Sequence, residues 1–164
     1  MKEHAKNARH LVKQMIASNL TLSTAESCTG GLIAKRITDV PGCSSVFHGG
    51  CVTYTNQVKK ELLGVEQSIL DTYTEVSEAC AKAMAEGVRA RLGSDLGVST
   101  TGYAGPGGGT AEDPVGTVYI AVAGPRRTVC RRIQAPAHFT RGQVRQYAVA
   151  MAMKLVANEI QLIK

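Results

Sequence analysis

A chain of 164 residues has the size of one compact domain, so a second core is not expected. Apolar residues at 44% and charged residues at 20% exclude a disordered chain, and no apolar run is long enough to span a bilayer. The net charge of +6 permits an anionic ligand, which makes the placement of the basic residues more informative than their number.

The first 18 residues read as an amphipathic helix. Lys2, Lys6, Arg9 and Lys13 fall on one stripe, with Leu11, Val12, Met15 and Ile16 on the other side, and Asn19 is the expected stop. This stripe reads as a solvated face rather than a nucleic-acid footprint. Its interleaved charges are unlike the apolar run of a secretory signal, which makes the cytoplasm the default compartment. Thr21 to Ala25 has strand character, and helical spacing returns from Gly30 through Leu32, Ile33 and Ile37 until Pro41-Gly42 forces a turn. Val46 to Thr55 reads as an inner strand in which Gly49-Gly50 marks a bulge or a close backbone approach. Asn56 is the expected N-cap of a short helix ending near Gly64.

From Ser77 the Ala-rich segment to Leu92 predicts a helix stopped by Gly93, followed by a strand over Leu96 to Thr101 and a glycine-rich loop to Gly109. Val115 to Ala123 and Thr128 to Gln134 read as two strands of a hairpin turned at Gly124-Pro125. Arg126, Arg127, Arg131 and Arg132 bracket the second of these, as on an exposed edge. A capping box at Thr140 and Gln143 opens the last helix. Alternating strands and helices with a late hairpin predict an α/β fold, a single three-layer α/β/α domain over 1–164 with a mixed sheet.

Three segments can carry chemistry. In Thr24-Ala25-Glu26-Ser27-Cys28-Thr29-Gly30-Gly31 a strand hands over to a helix, so Ser27 would stand at the sheet edge. The following N–H groups would converge there on an oxyanion or phosphate. From the octet alone, Ser27 or Thr29 could equally be a helix cap. None of His4, His10, His48 and His138 makes a convincing base, His48 alone lying in a strand and lacking a nearby acid. Lys59 is the alternative, because the first turn of a helix disfavours its charged form, and Tyr54 could relay a proton. An ordinary surface lysine is the competing reading. The loop Thr101 to Gly109 follows a strand and could form an anion nest, with Arg141 as a phosphate clamp. The five cysteines, Cys28, Cys43, Cys51, Cys80 and Cys130, form no C-x-x-C pair and read mostly as core residues. No ligand cluster has metal spacing, so the expected chemistry needs no metal.

Together the octet around Ser27, the Val52-Thr53-Tyr54 to Lys59 segment, Ala104-Gly105-Pro106-Gly107-Gly108-Gly109 and Pro114-Val115-Gly116-Thr117-Val118 resemble the CinA C-terminal family, in order from about Leu20 to Arg145. The resemblance implies a nicotinamide-nucleotide amidohydrolase that converts nicotinamide mononucleotide to nicotinate mononucleotide and ammonia. It implies Ser27, Tyr54 and Lys59 as the catalytic set, no cofactor, and a homodimer. Substrate contacts would come from Thr29, Gly30, Gly31, Thr101, Gly102, Gly105 and Arg141. Three rivals stay open: a non-catalytic nucleotide-binding module, an amidohydrolase of another phosphorylated amide, and a DNA-binding competence factor, which would show steeply salt-dependent affinity for DNA. A nucleic-acid partner ranks behind a small nucleotide, since seven aromatics give few stacking platforms.

Overall fold

The computed structural model describes residues 2–163, with side chains from residue 7 onward. In chain order the elements are α1 (Lys2–Ser18), β1 (Leu22–Glu26), α2 (Leu32–Thr38), a 3₁₀ turn (Cys43–Ser45), β2 (Phe47–Val52), α3 (Asn56–Leu63) and α4 (Gln67–Tyr73). They continue with α5 (Glu78–Leu92), β3 (Leu96–Gly102), β4 (Thr117–Ala123), β5 (Thr128–Gln134) and α6 (Arg141–Ile163). The sheet order is β2-β1-β3-β4-β5. β1 pairs in parallel with β2 and β3, while β3–β4 and β4–β5 are antiparallel. The expected mixed sheet in an α/β/α sandwich is therefore observed. No helix among the described residues is long and apolar enough to cross a membrane.

Alternation along the strands divides the side chains between two helical layers. Leu22, Val98 and Ile120 face α1, α2 and α6, where they join Leu11, Met15, Ile33, Val149 and Ile160 in the larger core. The other face of the sheet is lined by small residues. Ser23 and Ser99 donate to the α5 carbonyls of Val88 and Ala81, and Ala121 and Ala123 pack on Ala81 and Ala85. A Cβ at Gly97 would collide with the Ala85 carbonyl, so glycine there sets how closely α5 approaches. α3 in turn leans on α5 at Gly87, whose missing side chain leaves space for the Leu63 carbonyl.

The chain leaves β1 over one face through α2 and returns to β3 over the other through α5. The C-terminal ends of β1 and β3 therefore flank a topological switch point, the usual ligand crevice of such sheets.

Several expectations need correction. β2 is an edge strand, and His48 is exposed with its Nδ1 3.0 Å from the Leu92 carbonyl oxygen, far from any catalytic setting. The register with β1 slips at His48, and Gly50 lies against Thr24, so the glycine pair marks both a bulge and a close approach. The α3 cap is Thr55, whose hydroxyl accepts from the Val58 N–H at 3.3 Å, one residue before the expected Asn56. α4 has no counterpart among the expected elements, because it spans only seven residues and ends at Thr74 with φ 67° rather than at a glycine. On α1, Leu11, Val12 and Met15 are buried but Ile16 is half exposed. Arg9 and Lys13 are exposed, while the side chains of Lys2, His4 and Lys6 lie outside the described residues. β5 is the other edge, and the arginines around it are partly paired: Arg132 with Asp113 at 2.8 Å and Arg127 with Glu159 at 2.9 Å.

Candidate active site

β1 ends in a buried carboxylate. Glu26 accepts the N–H groups of Ile33 (3.0 Å) and Ala34 (2.9 Å) and the Thr29 hydroxyl (2.6 Å). The α2 N-cap, Gly31, offers no side-chain acceptor, so Glu26 satisfies that helix start from the neighbouring strand, a favourable place for negative charge. This corrects two expectations. Neither Ser27 nor Thr29 caps α2, and its N2 and N3 amides are already taken, so they are closed to a phosphate or oxyanion. The Cys28 and Thr29 N–H groups, by contrast, donate to no oxygen among the described residues and lie directly after Ser27.

Thr29 is fully buried, and its hydroxyl is shared between Glu26 and Thr100. Only its backbone can meet a ligand. Gly30 and Gly31, with φ of 57° and 89°, take left-handed turns that other residues resist. Arg145, which no sequence signal singles out, donates to the Thr29 carbonyl at 2.8 Å and locks the turn from α6. The Ser27 N–H donates to the Thr100 carbonyl at 3.0 Å, leaving its hydroxyl free to point toward α3.

Lys59 reaches that hydroxyl. Its Nζ lies 3.1 Å from Ser27 Oγ and donates to the Thr53 carbonyl at 2.9 Å, and its side chain is completely buried. Burial holds the amine below the ordinary lysine value of 10.5, against the opposing pull of Cys80, Glu75 and Cys28. The helix start named as the cause at sequence level gives way to desolvation as the dominant one. Cys28 is no competitor as a nucleophile, since burial pushes its thiol up to about 12.

Above this pair opens a cleft of about 170 Å³, walled by Ser27, Tyr54, Glu75, Tyr103 and Arg141 among others. It is smaller than sites that enclose a drug-sized ligand, with room for about one aromatic ring. Tyr54 stands on its rim, 60% exposed, accepting from Arg141 at 3.0 Å and bonded to neither Ser27 nor Lys59. Arg141 also donates to the Gly105 carbonyl at 2.6 Å. Gly105 thus turns an acceptor toward Arg141, and of the loop Thr101 to Gly109 the cleft is lined by Thr101 to Ala104. The Thr101 hydroxyl is buried and donates to the Glu75 carbonyl at 2.6 Å. Glu75 itself carries no sequence signal, because the segment between Gly64 and Ser77 contains no recognisable motif. A roomier cleft of about 270 Å³ at the opposite sheet end, beside Arg127 and Glu159, contains no nucleophile.

Known proteins share this fold. The family model of the CinA C-terminal domain matches residues 4–160. A CinA-like protein of Syntrophus aciditrophicus is 55% identical over 132 residues, 80% of this chain and 30% of that protein. The chain spans about a third of the length of the curated relatives it matches, 34% and 36% in two cases. Among solved structures, a CinA superfamily protein of Klebsiella pneumoniae superposes with TM-score 0.92 at 29% identity, covering 96% of this chain and 98% of that one. The competence/damage inducible protein of Agrobacterium tumefaciens gives TM-score 0.91 at 36% identity, covering 96% and 95%. With nearly its whole length matched in sequence and in fold, the chain belongs to the CinA C-terminal domain family.

Proposed function

We propose that the chain is an amidohydrolase that converts nicotinamide mononucleotide to nicotinate mononucleotide and ammonia, with Ser27 as nucleophile and Lys59 as general base. The observation that carries this reading is the fully buried Lys59 amine, 3.1 Å from Ser27 Oγ. A lysine placed there solely for structure would be a costly choice, whereas a neutral amine against a serine hydroxyl is a working base.

In this reading the neutral Lys59 keeps its N–H on the Thr53 carbonyl, and its lone pair accepts the Ser27 proton as Oγ bonds to the carboxamide carbon. The Cys28 and Thr29 N–H groups hold the oxyanion, each worth about 3 kcal/mol in comparable sites. Collapse breaks the C–N bond, and the Lys59 ammonium returns its proton to the departing nitrogen, which leaves as ammonia. Water then attacks the acyl-serine with Lys59 again as base, releasing the carboxylate and restoring Ser27. Arg141 and Tyr54, joined on the cleft rim, would hold the phosphate that lies outside the enclosed ring. The chain acts in the family's proposed setting of pyridine nucleotide recycling, as a homodimer.

Ammonia release from nicotinamide mononucleotide, measured beside Ser27→Ala and Lys59→Ala variants and with free nicotinamide as control, tests the assignment. Release by the unaltered protein alone, and only from the nucleotide, supports it. Equal release by all three proteins removes both residues from the reaction. No release at all favours the non-catalytic nucleotide-binding module.

A further inference from the structure

Among the described residues Glu75 is the one carboxylate in the cleft wall, and the reaction above has no use for it. Its charge even favours the protonated form of Lys59, the wrong form for a base. Yet the chain fixes it in place. Thr74 closes α4 at φ 67° and ψ 172°, a backbone region that a β-branched residue avoids. The next carbonyl, that of Glu75, is tied to β3 by the Thr101 hydroxyl at 2.6 Å, and Val76 is buried behind it.

The cleft also keeps its two opposite charges apart. Neither Glu75 nor Arg141 takes part in an ion pair among the described residues. Arg141 spends its donors on neutral acceptors, the Gly105 carbonyl and the Tyr54 hydroxyl. Beside Ser27 there is therefore one unmatched anion and one unmatched cation, the complement of a ligand that itself carries both signs.

We propose that Glu75 is a specificity-determining residue whose carboxylate selects a positively charged, N-substituted pyridinium ring, while Arg141 faces the phosphate. This rests on the amidohydrolase reading and narrows its substrate class to cationic aromatic carboxamides. Free nicotinamide, with an uncharged ring, gains nothing from Glu75. The hydrolysed product acquires a carboxylate close to Glu75, and like-charge repulsion favours its release.

Titration calorimetry on the Ser27→Ala protein, which lacks the nucleophile, separates this proposal from the catalytic one. The probes are nicotinamide mononucleotide and its carbon-linked benzamide analogue, which keeps the phosphate and carboxamide but has no ring charge. The cationic nucleotide is expected to bind about fivefold to tenfold tighter. Adding Glu75→Gln should shrink that preference to below about twofold and leave the affinity for the neutral analogue unchanged. Unchanged affinity for the analogue also shows that the cleft is still folded. The proposal falls if the preference survives Glu75→Gln, if both probes lose affinity alike, or if neither binds. An ammonia-releasing wild type whose preference does not depend on Glu75 overturns this inference alone. A Glu75-dependent preference in a protein that releases no ammonia overturns only the catalytic reading.

Discussion

Lys59 Nζ and Ser27 Oγ stand 3.1 Å apart, although they are 32 residues apart and belong to different layers of the fold. Ser27 is presented by the end of β1, and Lys59 comes from the first turn of α3. Closing the pair between them removes the amine from water completely.

That burial has a pH signature. As the proposed general base Lys59 has to be neutral, so kcat/KM should rise with pH along a limb set by its lowered pKa, below 10.5. Glu75→Gln removes a charge that raises this pKa, so the limb should move to lower pH. A pH–rate profile of both proteins checks the two directions.

Stability carries the same signature with a sign that can be worked out. The folded pKa is depressed, so the unfolded chain binds more protons between the folded value and 10.5. Stability therefore rises with pH across that window, and the cost of burying the charged amine is fully present below it. In Lys59→Met this component of the slope should vanish, while activity falls by at least about 10³-fold. Urea unfolding at several pH values reads the slope.

Ser27 and Cys28 are adjacent and both line the cleft, yet only one should react. With the thiol pushed up to about 12, almost no thiolate exists near neutrality. Cys28→Ala should keep the proposed activity within severalfold, and iodoacetamide near neutral pH should leave it intact, whereas Ser27→Ala should abolish turnover. Loss of activity in Cys28→Ala with the fold intact would transfer the nucleophile to the thiol.

Glu26 braces the start of α2. Replacing it by alanine strands the Ile33 and Ala34 amides and the Thr29 hydroxyl in a buried turn. A loss of about 3 kcal/mol or more is expected in denaturant unfolding.

Gly87 sets the seat of α3. In Gly87→Ala the new methyl meets the Leu63 carbonyl at the end of α3, the helix that also carries Lys59. A stability loss of about 1–3 kcal/mol is expected, together with about a 10²-fold drop in kcat. A normal kcat in the folded variant would show that the pair tolerates the shift.

Much of this protein is legible in its residues alone. Periodicity locates α1, α5, α6 and every strand, because an apolar face leaves its spacing in the chain. Ser77, Gly93 and the Thr140–Gln143 box mark helix ends, because caps are local hydrogen bonds. The segments bearing Ser27, Lys59 and Arg141 stand out for the same reason, as unusual local chemistry. What the spacing cannot say is which elements meet. Whether Lys59 is a surface cation or a buried amine depends on α5 closing over the sheet through Gly97 and Gly87, a matter of packing between layers. Glu26 reads as a member of a polar cluster until the fold turns it onto α2. Glu75 has no motif at all, and enters the cleft only because Thr74 on one side and Thr101 from a distant strand pin its backbone there. Local hydrogen bonding and hydrophobic spacing are written along the chain; desolvation and charge proximity exist only once distant segments have excluded water together.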